Sequence, residues 1–127
     1  MDLVEYKLIK EKTFRRHPWE LTRERFLHFL LNQSGVIKNL ADTGSGDGYL
    51  AASVAIRYPE AQVTAIDINY TNDLLEQLQQ NKPANLFFTN DFHHIPSDRP
   101  IDAILLMDVL EHIENPEMLL KDLLELK

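Results

Sequence analysis

Short apolar segments alternate with longer segments of helical periodicity along most of this chain. Four of the apolar segments predict β-strands, and turn residues such as Pro, Asn and Asp separate them from their neighbours. The second and fourth are almost continuous apolar runs, which is typical of strands buried on both faces of a parallel sheet. The four predicted strands are Ile37–Asp42, Gln62–Asp67, Asn85–Thr89 and Ile101–Met107.

Helical segments lie before, between and after these strands. A first helix begins at Pro18, a residue that suits the first helical turn, and Gly35 ends it. The other predicted helices are Tyr49–Tyr58, Thr71–Gln80 and a last helix with apolar residues from Leu110 to Leu124. Strands that alternate with helices form right-handed βαβ units, so we predict an α/β fold with an open parallel sheet.

Length, charge and cysteine content narrow the class of protein. At 127 residues the chain is long enough for one hydrophobic core. Residues 1–40 carry eight basic and five acidic side chains, whereas residues 41–127 carry five and fifteen, and this acidic main body argues against nucleic acid as a partner. The chain has no cysteine, no apolar run that could cross a membrane and no signal-peptide pattern, so we expect a cytoplasmic protein without disulfides.

The strongest chemical signal follows the first predicted strand, where three glycines stand at alternate positions in Asp42-Thr43-Gly44-Ser45-Gly46-Asp47-Gly48. Glycine lets a backbone turn sharply and approach a ligand closely, because it has no Cβ. The N-terminus of the helix that follows offers N–H groups to a carboxylate or a phosphate. Three glycines in five residues are more than a tight turn requires, so we expect a small ligand to bind here.

Two classes of ligand use a strand, a glycine turn and a helix in this order. A dinucleotide binds through Gly-x-Gly-x-x-Gly, but the third position of that pattern is Tyr49, where packing needs Gly or Ala. Asp42 and Asp47 also flank the glycines, and acids beside the loop disfavour a pyrophosphate. They suit S-adenosylmethionine, whose ammonium and sulfonium groups are cationic.

Four successive motifs between residue 37 and about residue 120 point to the same ligand. They are the glycine loop, Asp67 after the second strand, Asn90-Asp91-Phe92 after the third, and Asp108-Val109-Leu110-Glu111-His112 after the fourth. In these motifs the chain resembles the class I S-adenosylmethionine-dependent methyltransferases of the small-molecule type. The resemblance implies a Rossmann-like sheet with strand order 3-2-1-4 and S-adenosyl-L-methionine as the cofactor. The last motif, followed by Asn115-Pro116-Glu117, is the most specific of the four signals.

The same resemblance assigns cofactor contacts to individual residues. Those placed along the glycine loop are Asp42, Gly44, Ser45, Gly46 and Gly48. Asp67 would hold the ribose, because a carboxylate can accept hydrogen bonds from two adjacent hydroxyls. Asp91 would accept a hydrogen bond from the adenine amine, and Ile68 or Phe92 would pack on the adenine ring.

The motif after the fourth strand carries the candidate catalytic residues, because in the family this loop faces the transferred methyl group. We expect His112, and after it Asp108, to act as a general base if the acceptor requires one. A structural role is the alternative. Asp108, Glu111 and His112 also have the composition of a divalent-cation site. Metal-dependent members begin the motif with Glu rather than Asp, so we predict no metal here.

The number of predicted strands sets one further expectation. The family's sheet has seven strands in the order 3-2-1-4-5-7-6, whereas four are predicted here, and the fourth would be an apolar edge. We therefore expect a truncated chain that lacks a C-terminal segment over this edge or pairs with a partner such as a second copy. The expected division is a helical lead-in over residues 1–35 and a cofactor-binding half over residues 36–127.

These observations lead to a predicted function with two alternatives. We expect methyl transfer from S-adenosylmethionine to a small-molecule acceptor, which the sequence does not identify, or the cofactor-binding portion of an enzyme with this activity. The first alternative is a non-catalytic module that binds S-adenosylmethionine or a protein partner. The second is an NAD(P)-binding oxidoreductase, which Tyr49 disfavours.

Overall fold

A computed structural model describes residues 16–95, 100–107 and 109–125. In this part of the chain, four strands form one parallel sheet in the order β3-β2-β1-β4, which confirms the predicted α/β fold and strand order. The strands are β1 Asn39–Thr43, β2 Gln62–Ile66, β3 Leu86–Thr89 and β4 Ala103–Leu105. The helices are α1 Pro18–Gln33, α2 Tyr49–Arg57, α3 Asn72–Leu78 and α4 Pro116–Leu124, with 3-10 turns at Phe92–His94 and Leu110–His112.

The core lies on both faces of the sheet, because successive residues of β1 point to opposite sides. Leu40 is fully buried on the side covered by α1 and α2, whereas Ala41 packs on the other side. From α1, Leu27 and Leu31 join the first of these clusters. The lead-in helix is therefore packed onto the sheet, while the division of the chain at residue 35 stays a prediction.

β4 is shorter than the predicted Ile101–Met107, and it pairs with β1 over only three residues. Just before β4, the Asp102 carboxylate accepts hydrogen bonds from the backbone N–H groups of Lys38 and Asn39, at 2.7 and 2.9 Å. This side chain fixes where β4 meets the beginning of β1. Among the described residues, β4 forms one edge of the sheet.

The prediction of one continuous helix from Leu110 onward is wrong. Leu110–His112 is a 3-10 turn, and α4 begins only at Pro116. The Asn115 side chain accepts a hydrogen bond from the Met118 N–H at 3.1 Å, so Asn115 caps α4 and Pro116 occupies its first turn. None of the helices described here is long and apolar enough to cross a membrane.

Candidate functional site

The candidate site residues follow the carboxyl ends of the strands. Residues 44–48 come after β1, residues 67–71 after β2 and residues 90–94 after β3. Because the strands are parallel, these loops lie together at the carboxyl ends of the strands, where ligands of open α/β sheets bind. The fold therefore brings together most of the residues that the sequence motifs single out.

All three loop glycines have left-handed backbone angles, with φ of 71° at Gly44, 58° at Gly46 and 78° at Gly48. A Cβ added to Gly44 would lie 2.6 Å from Val109, and one added to Gly48 would lie 2.7 Å from the Phe88 ring. Conformation and crowding both require glycine at these two positions. The tight turn brings the loop backbone close to the strand ends.

The N–H groups of these glycines donate within the protein. Gly44 donates to the Ile66 carbonyl at 2.7 Å, Gly46 to the Asp67 carboxylate at 3.1 Å and Gly48 to the Ser45 carbonyl at 3.0 Å. A dinucleotide site of this kind uses loop N–H groups on the pyrophosphate. Here the glycines provide close approach, and the charged contacts must come from side chains.

Asp67 ties the glycine loop to the end of β2. It is buried, and its Oδ2 accepts from Gly46 while its Oδ1 accepts from the Asn69 N–H at 2.9 Å. The Tyr70 hydroxyl donates to the Gly46 carbonyl at 2.6 Å, so both the N–H and the carbonyl of Gly46 are hydrogen-bonded within the protein. Each carboxylate oxygen of Asp67 has a second lone pair with which it can accept from a ligand.

Asp42 is a buried carboxyl group at the beginning of the loop. Burial raises its pKa from the usual 3.8 to about 6, and the neighbouring carboxylates of Asp47 and Asp67 act in the same direction. The Ser45 hydroxyl donates to Asp42 Oδ2 at 2.9 Å and opposes this rise. A cationic group placed here would favour the ionised form of Asp42.

A small open cleft lies between α1 and the glycine loop. Its lining residues are Arg23, Asp42, Gly44, Ser45, Leu50 and Met107. The Arg23 guanidinium carbon lies 4.6 Å from the centre of the Trp19 ring. Arg23 of α1 and the buried Asp42 of β1 thus both line the cleft.

Three predicted adenine-binding residues have different environments. Ile68 is 72% exposed, and Phe92 packs against the cluster that contains Ala41. The Asp91 Oδ1 accepts from the His93 N–H at 2.9 Å and so caps the 3-10 turn. Ile68 is accessible to a ligand, and the adenine contacts of all three residues stay predictions.

The predicted catalytic residues are only partly described, because Asp108 lies outside the described residues. Glu111 and His112 are exposed, and Glu111 Oε1 lies 4.0 Å from His112 Nε2. In the described ranges, His, Asp and Glu side chains form no group of three or more that could hold a metal ion. A catalytic role for His112 therefore stays a prediction.

A comparison with protein families decides the class of this chain. The family described as "Methyltransferase domain" matches residues 12–127. The chain belongs to the class I S-adenosylmethionine-dependent methyltransferase family. This result confirms the resemblance that the four sequence motifs indicated.

Two curated relatives are O-methyltransferases. The trans-resveratrol di-O-methyltransferase of Vitis vinifera is 33% identical over 81 residues, which cover 64% of this chain and 21% of the relative. The mitochondrial ubiquinone biosynthesis O-methyltransferase of Dictyostelium discoideum is 29% identical over 92 residues, which cover 62% and 28% of the two chains. This methyltransferase-family chain thus spans less than a third of either relative. No solved structure matches it.

Two arginines beside the site in this methyltransferase-family chain were not predicted as site residues. Arg23 lines the cleft, and Arg16 forms an ion pair with Asp47 in the glycine loop. Both belong to the α1 region, at least 21 residues before the glycine loop begins at Gly44. Helical periodicity identifies the buried face of α1 but not which polar residue contacts the next element.

We expect Gly48→Ala to lower the free energy of unfolding more than Gly35→Ala does. Both glycines have positive φ, at 78° and 86°, so each alanine costs about 1 kcal/mol in backbone strain. Only at Gly48 would the new Cβ meet a neighbour, the Phe88 ring, which adds about 1 kcal/mol of overpacking. Urea unfolding of both variants measures the difference, and equal losses would show that Phe88 moves aside freely.

Proposed function

We propose that the chain binds S-adenosylmethionine at the carboxyl edge of its sheet and takes part in methyl transfer to a small-molecule acceptor. The observation that carries this proposal is the pair of buried carboxyl groups, Asp42 and Asp67, on either side of a loop of three glycines. Membership in the methyltransferase family supports it.

Charge in the site suits a cofactor with both cationic and anionic groups. Asp42 would face the ammonium group of the methionine part, and Arg23, across the cleft, would bind its carboxylate. Asp67 would accept from the ribose hydroxyls with the lone pairs that Gly46 and Asn69 leave. The adenine would lie toward Ile68, Asp91 and Phe92.

The bound cofactor would supply the activated methyl group. The contribution of this chain would be to hold the cofactor so that an acceptor can approach in line with the methyl group. His112, exposed after β4, would take a proton from the acceptor if its hydroxyl or ammonium group has to lose one. The acceptor, the cytoplasmic location and a partner over the β4 edge stay predictions.

A non-catalytic S-adenosylmethionine-binding module is the second candidate function. The matched residues span 21% and 28% of the two curated relatives, so the activity of a whole enzyme is a proposal for this chain. Both candidate functions require the same cofactor site. A dinucleotide oxidoreductase is disfavoured, since the loop N–H groups of Gly44, Gly46 and Gly48 already donate within the protein.

Isothermal titration calorimetry with S-adenosylhomocysteine and with NAD tests the proposed cofactor. We expect a saturable signal with S-adenosylhomocysteine and none with NAD, because the site has carboxylates where a pyrophosphate would need N–H donors. ADP-ribose serves as a control that carries the same adenosine and a pyrophosphate. Binding of NAD without binding of S-adenosylhomocysteine would overturn the proposal.

A further inference from the structure

Arg16 connects the beginning of α1 to the glycine loop. Its Nη2 lies 2.5 Å from Asp47 Oδ2 and its Nη1 lies 3.4 Å from Glu20 Oε1. The guanidinium carbon also lies 3.9 Å from the centre of the Tyr49 ring, in the first turn of α2. The Arg16 side chain is 14% exposed and that of Asp47 is fully buried, so the pair is shielded from solvent.

Asp47 stands at the point where the loop becomes helix. It follows Gly46, which is hydrogen-bonded to Asp67, and precedes Gly48, the N-cap of α2. Its Oδ1 accepts from the Tyr49 N–H at 3.0 Å, while its Oδ2 is the atom that Arg16 contacts. The two oxygens thus join the loop to the first turn of α2 and to the start of α1.

The ion pair also changes the charge of the loop. Asp42, Asp47 and Asp67 are three buried acids within one short region of the sheet edge. A buried carboxylate without a counter-charge is strongly unfavourable, and repulsion from its neighbours adds to that cost. The Arg16 guanidinium supplies the counter-charge for Asp47 at hydrogen-bonding distance.

We propose that Arg16 is a positioning residue, which holds the glycine loop in its cofactor-binding conformation by neutralising the buried Asp47 carboxylate. Arg16 acts through Asp47 and need not touch the cofactor. Its effect on cofactor affinity rests on the function proposed above, whereas its effect on the loop does not. The two effects can therefore be measured separately.

Hydrogen exchange of the loop amides in the ligand-free chain is the first measurement. In Arg16→Gln we expect the amides of residues 44–49 to exchange about tenfold faster, because Asp47 loses its counter-charge, while β2 amides are unchanged. Arg25→Gln is the matched control, since Arg25 is an exposed arginine of α1, the helix that begins two residues after Arg16. Unchanged loop exchange in Arg16→Gln would overturn the proposal, whether or not the chain binds a cofactor.

Rescue by Asp47→Asn separates charge neutralisation from simple docking of α1. Asparagine keeps an acceptor for the Tyr49 N–H but carries no charge that needs Arg16. We expect the loop amides of R16Q/D47N to exchange at rates within about twofold of those in D47N alone. If R16Q does not fold, as judged by circular dichroism, the comparison of R16Q/D47N with D47N still tests the proposal. If R16Q accelerates exchange of the loop amides by the same factor in the original chain and in D47N, the proposal is contradicted.

Cofactor affinity is the second measurement. We expect R16Q to bind S-adenosylhomocysteine about tenfold more weakly than the original chain, and R16Q/D47N to recover most of that loss. Failure of the original chain to bind S-adenosylhomocysteine would contradict the proposed function and leave the exchange result as the test of Arg16. Normal affinity in R16Q would show that the loop does not depend on this ion pair.

Discussion

Replacing Asp67 with alanine is expected to weaken binding of S-adenosylhomocysteine at least about 100-fold, since hydrogen bonds to a charged acceptor contribute about 1.5–3 kcal/mol each. The change removes the group proposed to hold both ribose hydroxyls. It also removes the acceptor of the Gly46 N–H, so the glycine loop loses one of its ties to β2. Isothermal titration calorimetry at constant pH and salt measures the loss.

Two further variants make this result specific. Asp73→Ala removes an exposed acid from the first turn of α3, and we expect its affinity to stay within about twofold of the original. Asp67→Asn keeps one oxygen acceptor without the charge, so we expect an intermediate loss of about tenfold. If Asp67→Ala binds as tightly as Asp73→Ala, Asp67 does not hold the ribose.

Asp42→Asn is expected to make the chain more stable at pH 8 by up to about 3 kcal/mol, because the pKa of Asp42 rises from 3.8 to about 6 on folding. The folded chain holds this proton more tightly than the unfolded chain does. The stability contributed by protonated Asp42 is therefore fully present below pH 3.8 and is lost as the pH rises through about 6.

Urea unfolding of both proteins across this pH range tests the prediction. Asparagine can still accept the hydrogen bond from Ser45, so the two proteins should have similar stability near pH 4 and diverge above it. Taking the difference between the proteins removes the contribution of other acids, such as Glu24, whose pKa is lowered. A difference that does not change with pH would mean that Asp42 is not the titrating group.

This cost of a buried acid is informative about function. An asparagine could satisfy Ser45 without the penalty of an ionised carboxyl group. A cationic ligand beside Asp42 would recover that penalty, because it favours the charged form. The free energy that ionised Asp42 costs in the ligand-free chain would then contribute to ligand binding. We therefore expect Asp42→Asn to lower cofactor affinity while it raises the free energy of unfolding.

Local sequence signals predicted the parts of the molecule that local chemistry determines. The glycines have positive φ as their spacing indicated, and Asp67 reaches the loop from the next strand. The parallel sheet followed from the alternation of strands and helices, whereas the strand order came from the family resemblance alone. The Asn115-Pro116 signal for the beginning of α4 was also present in the sequence, although the apolar residues near Leu110 obscured it.

Local sequence signals did not predict contacts between side chains that are far apart in the sequence. Arg16 and Asp47 are 31 residues apart, and nothing in either local pattern pairs them. The same holds for Glu24 in α1, which accepts hydrogen bonds from Tyr49 and Ser53 in α2. Their pairing depends on how α1 packs across α2, and helical periodicity gives the buried face but not the polar partners at its border.

Asp102 has a consequence for how the chain folds during synthesis. Its carboxylate receives the backbone N–H groups of residues that the ribosome makes 64 and 63 positions earlier. β1, the strand that leads to the glycine loop, can therefore pair with β2 early. The backbone groups of β1 that face β4 stay unpaired until Asp102 and β4 have emerged. A nascent chain that stalls before this aspartate would expose the central strand of its own sheet to other chains.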